Sequence, residues 1–343
     1  MGDCSRRQFG KTVLGSIPLA SAILASSRLR AEGRPNSVFN SVQVGIICPY
    51  SYHNMAGDAK SLLADMVRDG ISACEFHAEP IEEFLGGPPA PARYGTRGVA
   101  AAATVGIAPS GSASPQGGRA PLTTEQASAQ KAAQNAATNW RTSVSMDKFA
   151  TFRKMYADAG VRLYAYKLEL SLDMPDGEYH YTFNAAKALG CNHVTMELPS
   201  NPDLAKRVGA FATKHQMMVG YHAHTQAKPT SWDEATSFSA YNGINLDIGH
   251  YVAAGNHDVI AFIQKNHARI TSIHLKDRKY PEAGGNNVAW GTGDTPVKEV
   301  LRLVKIERYP FPATIELEYT PPDGSNSEKE IVKCREFAKA ALA

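Results

Sequence analysis

Short strand-like segments alternate with helix-like segments along most of this chain, and the strand-like segments number eight. Regular alternation of the two predicts a parallel sheet covered by helices, and a count of eight favours closure into a barrel. We therefore predict an α/β fold, a (β/α)8 TIM barrel that spans residues 38–343. The predicted strands are Val42–Cys48, Ile71–His77, Arg162–Glu169, His193–Leu198, Val219–His224, Ile244–Ile248, Ile270–Leu275 and Ala313–Tyr319. The predicted helices are Ala59–Asp69, Met146–Ala159, Tyr179–Leu189, Pro202–His215, Ser231–Tyr241, Asp258–His267, Thr295–Val304 and Ser327–Leu342.

The first thirty residues predict an export signal. Ser5–Lys11 matches the bacterial twin-arginine pattern, and an apolar stretch and small residues follow it. The apolar run is roughly 14 residues, short of the ~20 that span a bilayer, so it is typical of a signal peptide rather than of a membrane anchor. The alternative is a chance basic start before a buried helix. We predict that residues 1–30 are a signal peptide recognised by the twin-arginine translocase, and that the mature protein is periplasmic or secreted.

Composition narrows the classes of partner. The chain has 36 Lys and Arg against 33 Asp and Glu, a formal net charge of +3. Because nucleic-acid-binding proteins concentrate positive charge, this balance argues against nucleic acid as a partner. Of five cysteines, Cys4 falls in the predicted signal peptide, and the other four form no CxxC pair. Buried thiols are therefore favoured over disulfides.

One segment interrupts the alternation. From Gly86 to about Asn139 the chain is rich in Gly, Pro, Ala and Ser, although the Thr124–Asn139 part is predicted to be helical. Long insertions of this kind are usually lids or disordered segments. Two alternatives remain open for this segment. It is either a lid or an arm that forms a homo-oligomer, or it is a disordered insertion. Trp140 and Arg141 at its end would either anchor the segment near the barrel mouth or pack against the following helix.

Several predicted strands end in histidine or a carboxylate, and in a parallel barrel these ends meet at one mouth. His222 and His224 share a face of the fifth strand, Asp247 ends the sixth, His274 the seventh, and Glu316 lies in the last. An Asp in an apolar strand is costly unless a cation or hydrogen bonds compensate it. Mixed nitrogen and oxygen ligands suit a divalent transition metal better than calcium. The alternative for the two histidines is a hydrogen-bonded pair that packs the mouth.

Other polar residues are predicted near the same mouth. Glu197 lies at the end of the fourth strand, where it is either functional or a salt-bridged strand-end glutamate. We predict that the following residues bind substrate: Lys167, His224, His250, Lys276 and Arg278.

The segments VGYHAH, LDIGHYVAAG, IHLKDRK and WGTGDTP, with Glu316, resemble the xylose-isomerase-like barrels, or sugar phosphate isomerase/epimerase superfamily. The resemblance covers the chain from about Val42 to its end. It implies a site of Glu, Asp, His and Glu that holds Mn²⁺, Mg²⁺, Co²⁺ or Zn²⁺, and Asp247, His274 and Glu316 match three of these ligands.

The fifth strand departs from the family's epimerases, because it ends in His222 and His224 where they have a glutamate. We predict that Glu197 supplies the fourth metal ligand and that it and Glu316 take part in catalysis. His222 is predicted as either a metal ligand or the catalytic base, and it is our candidate for the base since the pKa of histidine lies near neutral.

The resemblance implies an enzyme that isomerises or epimerises a free sugar, keto-sugar or glycoside through an enediolate. The YHxH variant is similar to branches that act as inosose-type dehydratases or cleave 3-oxo-glycosides by β-elimination, and both stay open. A phosphodiesterase of the DNA-repair type is disfavoured by the weak net charge and the export signal. A carbohydrate-binding barrel without chemistry is disfavoured by ligand-type residues at four strand ends.

Overall fold

A closed barrel of eight parallel strands forms the centre of the protein. The computed structural model describes residues 33–89 and 123–343, and the described residues from 34 onward form one compact unit. The first strand pairs with both the second and the eighth, which closes the sheet. The predicted (β/α)8 TIM barrel is thereby confirmed. The strands are β1 (Val42–Cys48), β2 (Ala73–His77), β3 (Arg162–Lys167), β4 (His193–Glu197), β5 (Met218–His222), β6 (Asn242–Asp247), β7 (Ile270–Leu275) and β8 (Ala313–Ile315).

Helices surround this barrel, and several begin with a side-chain cap. Asp58 accepts hydrogen bonds from the backbone N–H groups of Lys60 and Ser61, and Thr123 and Gln126 form a capping box. All eight predicted helices are present. Two further helices, Ala78–Phe84 and Ile248–Ala253, were not predicted; both are short and start directly at strand ends. The helices are α1 (Ala59–Arg68), α2 (Ala78–Phe84), α3 (Thr124–Ser143), α4 (Met146–Asp158), α5 (Asp176–Leu189), α6 (Pro202–His215), α7 (Asp233–Ser237), α8 (Ile248–Ala253), α9 (Val259–Asn266), α10 (Val297–Ile306) and α11 (Ser327–Leu342).

The barrel interior contains polar side chains that bond to each other. The hydroxyl of Tyr164 lies 2.8 Å from Thr314 Oγ1, and both residues are buried. The ring of Tyr164 fills the space beside Gly45 on β1, where a Cβ atom would lie 2.5 Å from it. Gly45 is therefore required by the close approach of this ring, and the hydrogen bond offsets the cost of burying the two hydroxyls.

A buried ion cluster fixes helix α3 to the barrel. The Arg141 guanidinium donates to Glu82 on α2 and to Glu178 on α5, each at 2.9 Å. The ring of Trp140 packs against Phe149 of α4 and Tyr181 of α5. Trp140 and Arg141 thus pack against the neighbouring helices, which was the alternative to an anchor at the mouth.

Some predictions fall outside the described residues. The predicted signal peptide of residues 1–30 does so entirely, as does the stretch 90–122 of the predicted insertion. Within residues 33–89 and 123–343, no helix combines the length and the apolar character needed to cross a membrane. The four cysteines in these ranges are free and buried, as predicted.

Candidate functional site

Four ligand-type side chains meet at the C-terminal ends of β5 to β8. Each offers one donor atom, and these atoms all lie within 4.8 Å of one another. We call these residues the ligand group: His222, Asp247, His274 and Glu316. All four are between 1% and 6% exposed. Carboxylates buried this deeply need a cation or bound protons to compensate their charge.

Both histidines of the ligand group are oriented by residues behind them. His222 Nδ1 lies 3.2 Å from Asn245 Oδ1, which leaves Nε2 free for the ligand group. His274 Nε2 lies 2.8 Å from Glu75 Oε2, while its Nδ1 lies 2.8 Å from Glu316 Oε2. A carboxylate behind the ring is the usual arrangement of a metal-binding histidine, where it fixes the tautomer and the orientation.

The surroundings keep His222 neutral and His274 positively charged. Burial lowers the pKa of His222 to about 3, so its ring is neutral and keeps a lone pair. Burial also disfavours charge on His274, but Glu75 and Glu316 outweigh it and raise the pKa of His274 to about 10. A metal bound at Nδ1 of His274 would replace a proton there, and Nε2–H would stay on Glu75.

Asp247 both ends β6 and begins α8. Its Oδ1 accepts a hydrogen bond from the backbone N–H of His250 at 2.7 Å and so caps the helix. Its Oδ2 is buried and has no hydrogen bond of good geometry, although the Lys276 ammonium lies 3.0 Å away. Burial raises the pKa of Asp247 to about 7. An oxygen of this kind, together with two imidazoles and a second carboxylate, fits a divalent cation such as Mn²⁺, Mg²⁺, Co²⁺ or Zn²⁺.

Lys276 lies against the carboxylates of this side of the mouth. Its Nζ is 3.0 Å from Asp247 Oδ2, 3.2 Å from Glu316 Oε1 and 2.5 Å from Glu318 Oε2. Burial disfavours the ammonium, but the carboxylates outweigh it and hold the pKa of Lys276 well above its usual range. Glu318 also accepts a hydrogen bond from the Tyr50 hydroxyl at 2.8 Å. Lys276 is therefore a buried, charged lysine.

His250 lies between two cations. Its Nε2 is 3.0 Å from Lys276 Nζ, and its Nδ1 is 2.6 Å from Arg278 Nη1. One ring nitrogen each from His222, His224 and His250 also lie within 4.8 Å of one another. A metal among these three rings is disfavoured, because both nitrogens of His250 already face cationic groups.

Asp277 shapes the loop that follows β7. Its Oδ2 accepts hydrogen bonds from the backbone N–H groups of Gly291 and Gly293, at 2.8 and 2.9 Å. A Cβ at Gly293 would lie only 1.9 Å from Asp277 Oδ1, so this position has to be glycine. The HLKD and WGTGD segments are thus joined by one carboxylate, and the side chain of the next residue, Arg278, contacts His250.

The other side of the mouth carries a second cluster, which we call the Lys167 group: Lys167, Glu169 and Glu197. Lys167 Nζ lies 3.0 Å from Glu197 Oε1 and 3.7 Å from Glu169 Oε1. Burial would raise the pKa of Glu197, but Lys167 outweighs it and lowers that pKa to about 2. Burial raises the pKa of Glu169 to about 7, with Lys167 acting against the rise.

His224 stands next to the Lys167 group. Its Nε2 lies 3.8 Å from Glu197 Oε2, and its side chain is 52% exposed. Its ring centroid is 5.0 Å from that of His222 and 4.7 Å from that of His250. Of the four histidines that meet at the mouth, His224 is the exposed one.

The structure brings together three of the four predicted ligands, Asp247, His274 and Glu316, but it does not bring Glu197 to them. Glu197 is aligned with His222 across β4 and β5, yet its carboxylate turns to Lys167 on β3. His222 occupies the fourth position of the ligand group instead.

Sequence reasoning missed Glu75, which is fully buried and bonded to His274. The available signal was a carboxylate inside the apolar segment CEF of β2.

Comparison of the sequence with known protein families supports this fold. The sequence profile described as the xylose isomerase-like TIM barrel matches residues 130–340, more than half of the chain. A search of curated proteins found no match.

Three solved structures illustrate the likeness. A sugar phosphate isomerase/epimerase from Parabacteroides distasonis is 16% identical with a TM-score of 0.54, and the match covers 88% of this chain and 95% of that one. An L-ribulose 3-epimerase is 13% identical with a TM-score of 0.53, over 88% and 94% of the two chains. A probable 3-DHS dehydratase from Bacillus anthracis is 12% identical with a TM-score of 0.55, over 85% and 98%. At these identities the structures share a fold with this chain. From the profile match, the chain belongs to the xylose isomerase-like TIM barrel family.

Proposed function

We propose that this protein is a divalent-metal-dependent enzyme that isomerises or epimerises a free sugar, keto-sugar or glycoside through an enediolate. The observation that carries the proposal is the ligand group, in which two imidazoles and two carboxylates converge at the barrel mouth while buried. Active sites of such barrels lie at this end of the strands.

In this proposal the metal is held by His222, Asp247, His274 and Glu316, and His222 replaces Glu197 as the fourth ligand. When bound, a divalent cation would polarise a substrate carbonyl and its neighbouring hydroxyl, which acidifies the adjacent C–H bond. Glu75 would keep the His274 ring in place through its bond to Nε2.

His224 is the group that we propose to move the substrate proton, in place of His222. A ring that gives its free nitrogen to a metal cannot also accept a proton from substrate, and Nδ1 of His222 already faces Asn245. His224 is exposed to an entering ligand, and the charged carboxylate of Glu197 lies 3.8 Å from its Nε2. Glu197 would stabilise the imidazolium that forms when His224 takes up the proton.

The charged side chains around the mouth would bind substrate oxygens. Lys276 and Arg278 lie on the side of the ligand group, where their positive charge would stabilise developing negative charge on an enediolate oxygen, and the ring of His250 lies between them. Lys167 lies on the opposite side and is 10% exposed, which leaves it able to reach a distal hydroxyl.

A second candidate is β-elimination, as in cleavage of a 3-oxo-glycoside or dehydration of an inosose. It shares the first proton abstraction and differs in that a group leaves from the carbon β to the carbonyl. The exposure of His224 favours it, because an exposed acid can protonate a leaving group.

The test is proton exchange in deuterated water with Mn²⁺-loaded protein. A panel of free ketoses, inosose and 3-oxo-glycosides would be followed by proton NMR, with chelator-treated protein as the control. Exchange at the carbon next to the carbonyl supports the common first step. Release of the aglycone, or formation of the unsaturated ketone that remains when water is lost, then identifies elimination. Equal rates with and without metal would contradict the proposal.

We also propose export by the twin-arginine translocase to the periplasm or beyond the cell, on the basis of residues 5–31. Replacement of both Arg6 and Arg7 with Lys should retain the protein in the cytoplasm, as measured by cell fractionation. Normal export of the double variant would contradict this route.

A further inference from the structure

Lys276 lies against the two carboxylate oxygens of the ligand group that other donors leave free. Asp247 Oδ1 accepts from the backbone of His250, and Glu316 Oε2 lies 2.8 Å from His274 Nδ1. The remaining oxygens, Asp247 Oδ2 and Glu316 Oε1, lie 3.0 and 3.2 Å from Lys276 Nζ. Asp247 Oδ2 is the oxygen more open to a metal, because it accepts no hydrogen bond of good geometry, whereas Oδ1 caps helix α8. The ammonium and the metal therefore compete for the same oxygen.

Lys276 also has a carboxylate outside the ligand group. Glu318 Oε2 lies 2.5 Å from its Nζ, and Glu318 Oε1 is held by the Tyr50 hydroxyl at 2.8 Å. Glu318 is 23% exposed and so lies nearer to solvent than Asp247. Because an ammonium and a divalent cation repel each other strongly in a buried site, a small movement of Nζ away from Asp247 that keeps its contact with Glu318 lowers that repulsion.

We propose that Lys276 is a built-in counter-cation that the metal displaces. Its ammonium neutralises Asp247 and Glu316 before metal binds, gives up Asp247 Oδ2 when metal enters, and stays on Glu318. This inference rests on the proposed function, since it concerns the metal of that site. It follows that Lys276 sets the metal affinity, and that the displaced ammonium faces the substrate position at the mouth.

The first test is Mn²⁺ affinity measured by calorimetry. Lys276→Met should bind Mn²⁺ about ten-fold more tightly than the natural chain, because a positive charge next to the metal is removed. Lys279→Met is the matched control, since Lys279 is one-third exposed and pairs only loosely with Asp294, at 3.5 Å. Its effect should stay within about two-fold, because exposed charges are screened.

Thermal unfolding gives a second measurement in case the variant is unstable. Without metal, Lys276→Met should unfold at a lower temperature than the natural chain, because Asp247 and Glu316 lose their cation. Added Mn²⁺ should then raise its midpoint by more than it raises that of the natural chain. A variant that folds only with Mn²⁺ supports the proposal for the same reason.

A double-mutant cycle tests the role of Glu318. Glu318→Gln should weaken Mn²⁺ binding when Lys276 is present and have little effect in the Lys276→Met background. An equal loss in both backgrounds would show that Glu318 acts through its own charge, and would overturn its role in holding the displaced ammonium. Unchanged or weaker Mn²⁺ binding by Lys276→Met would overturn the inference while the proposed function stands. If neither the natural chain nor any variant binds Mn²⁺, the proposed function fails and the inference fails with it.

Discussion

The two sides of the barrel mouth each contain a lysine held by glutamates or aspartates, yet they differ in what surrounds it. The side chain of Lys276 is 2% exposed and lies beside four ligand-type side chains whose donor atoms converge. The side chain of Lys167 is 10% exposed and lies between Glu169 and Glu197, and among residues 33–89 and 123–343 no set of metal-ligand atoms converges beside it. Burial and convergence together favour a metal on the first side, whereas the second is suited to contacts with substrate and to proton transfer. The comparison teaches that a carboxylate at a strand end is not by itself evidence of a metal ligand.

The strongest test of this difference between the two sides replaces one glutamate on each side, Glu316 and Glu197. Glu316→Gln should weaken Mn²⁺ binding by more than about 100-fold, since a direct ligand should matter more than the groups behind ligands. Glu197→Gln is the matched change on the other side and should leave the affinity within about three-fold. Both would be measured by calorimetry on refolded, metal-free protein. Equal losses would restore Glu197 as a metal ligand, as the sequence predicted.

Replacement of the two histidines of the YHAH segment should affect different properties, proton exchange for His224 and metal binding for His222. His224→Gln should retain Mn²⁺ and lose proton exchange by roughly 10²- to 10⁴-fold, the range typical of a general acid or base. His222→Gln should lose Mn²⁺ binding first. If His222→Gln keeps its metal and loses only exchange, His222 is the base, as the sequence originally predicted.

Glu75 tests the same difference with a residue that is not a ligand, because it bonds to His274 on the side of the ligand group. Glu75→Gln should weaken Mn²⁺ binding by about 10- to 100-fold, since the ring of His274 loses the carboxylate behind it. Glu169→Gln, a change of the same type on the Lys167 side, is the control. Unchanged affinity in Glu75→Gln would show that Asn245, whose Nδ2 lies 3.2 Å from His274 Nε2, suffices to hold the ring.

The smallest expected effect concerns the pH dependence of stability on the Lys167 side. Burial raises the pKa of Glu169 to about 7, above the 4.5 of an ordinary glutamate. The folded chain therefore binds more protons between these values, and this group makes stability fall as pH rises from 4.5 to 7. Glu169→Gln should remove this pH dependence. The difference in thermal midpoint between the variant and the natural chain should therefore be a few degrees more favourable to the variant at pH 8 than at pH 5. A constant difference between the two proteins across this range would contradict the pKa shift.

Much of this architecture could be predicted from the sequence, because strand and helix periodicity is local. The fold, the strand ends at Asp247 and His274 and the start of helix α3 follow from such patterns. The partner of Glu197 could not be predicted, since Lys167 lies thirty positions earlier and on another strand. Glu75 was missed for the same reason, because its contact to His274 joins residues 199 positions apart.

The hydrogen-bonded polar side chains inside the barrel determine how much of this site would have to be transferred to another protein in a design. Glu75 bonds to Thr195, Asn245 and His274, and Asn245 in turn contacts Ser272, so the site continues below the mouth. If only the four residues of the ligand group were transferred to a barrel with an apolar interior, the imidazole of His274 would have no acceptor such as Glu75 for its Nε2–H. The smallest transplantable unit therefore includes strand β2, which contributes no residue to the ligand group.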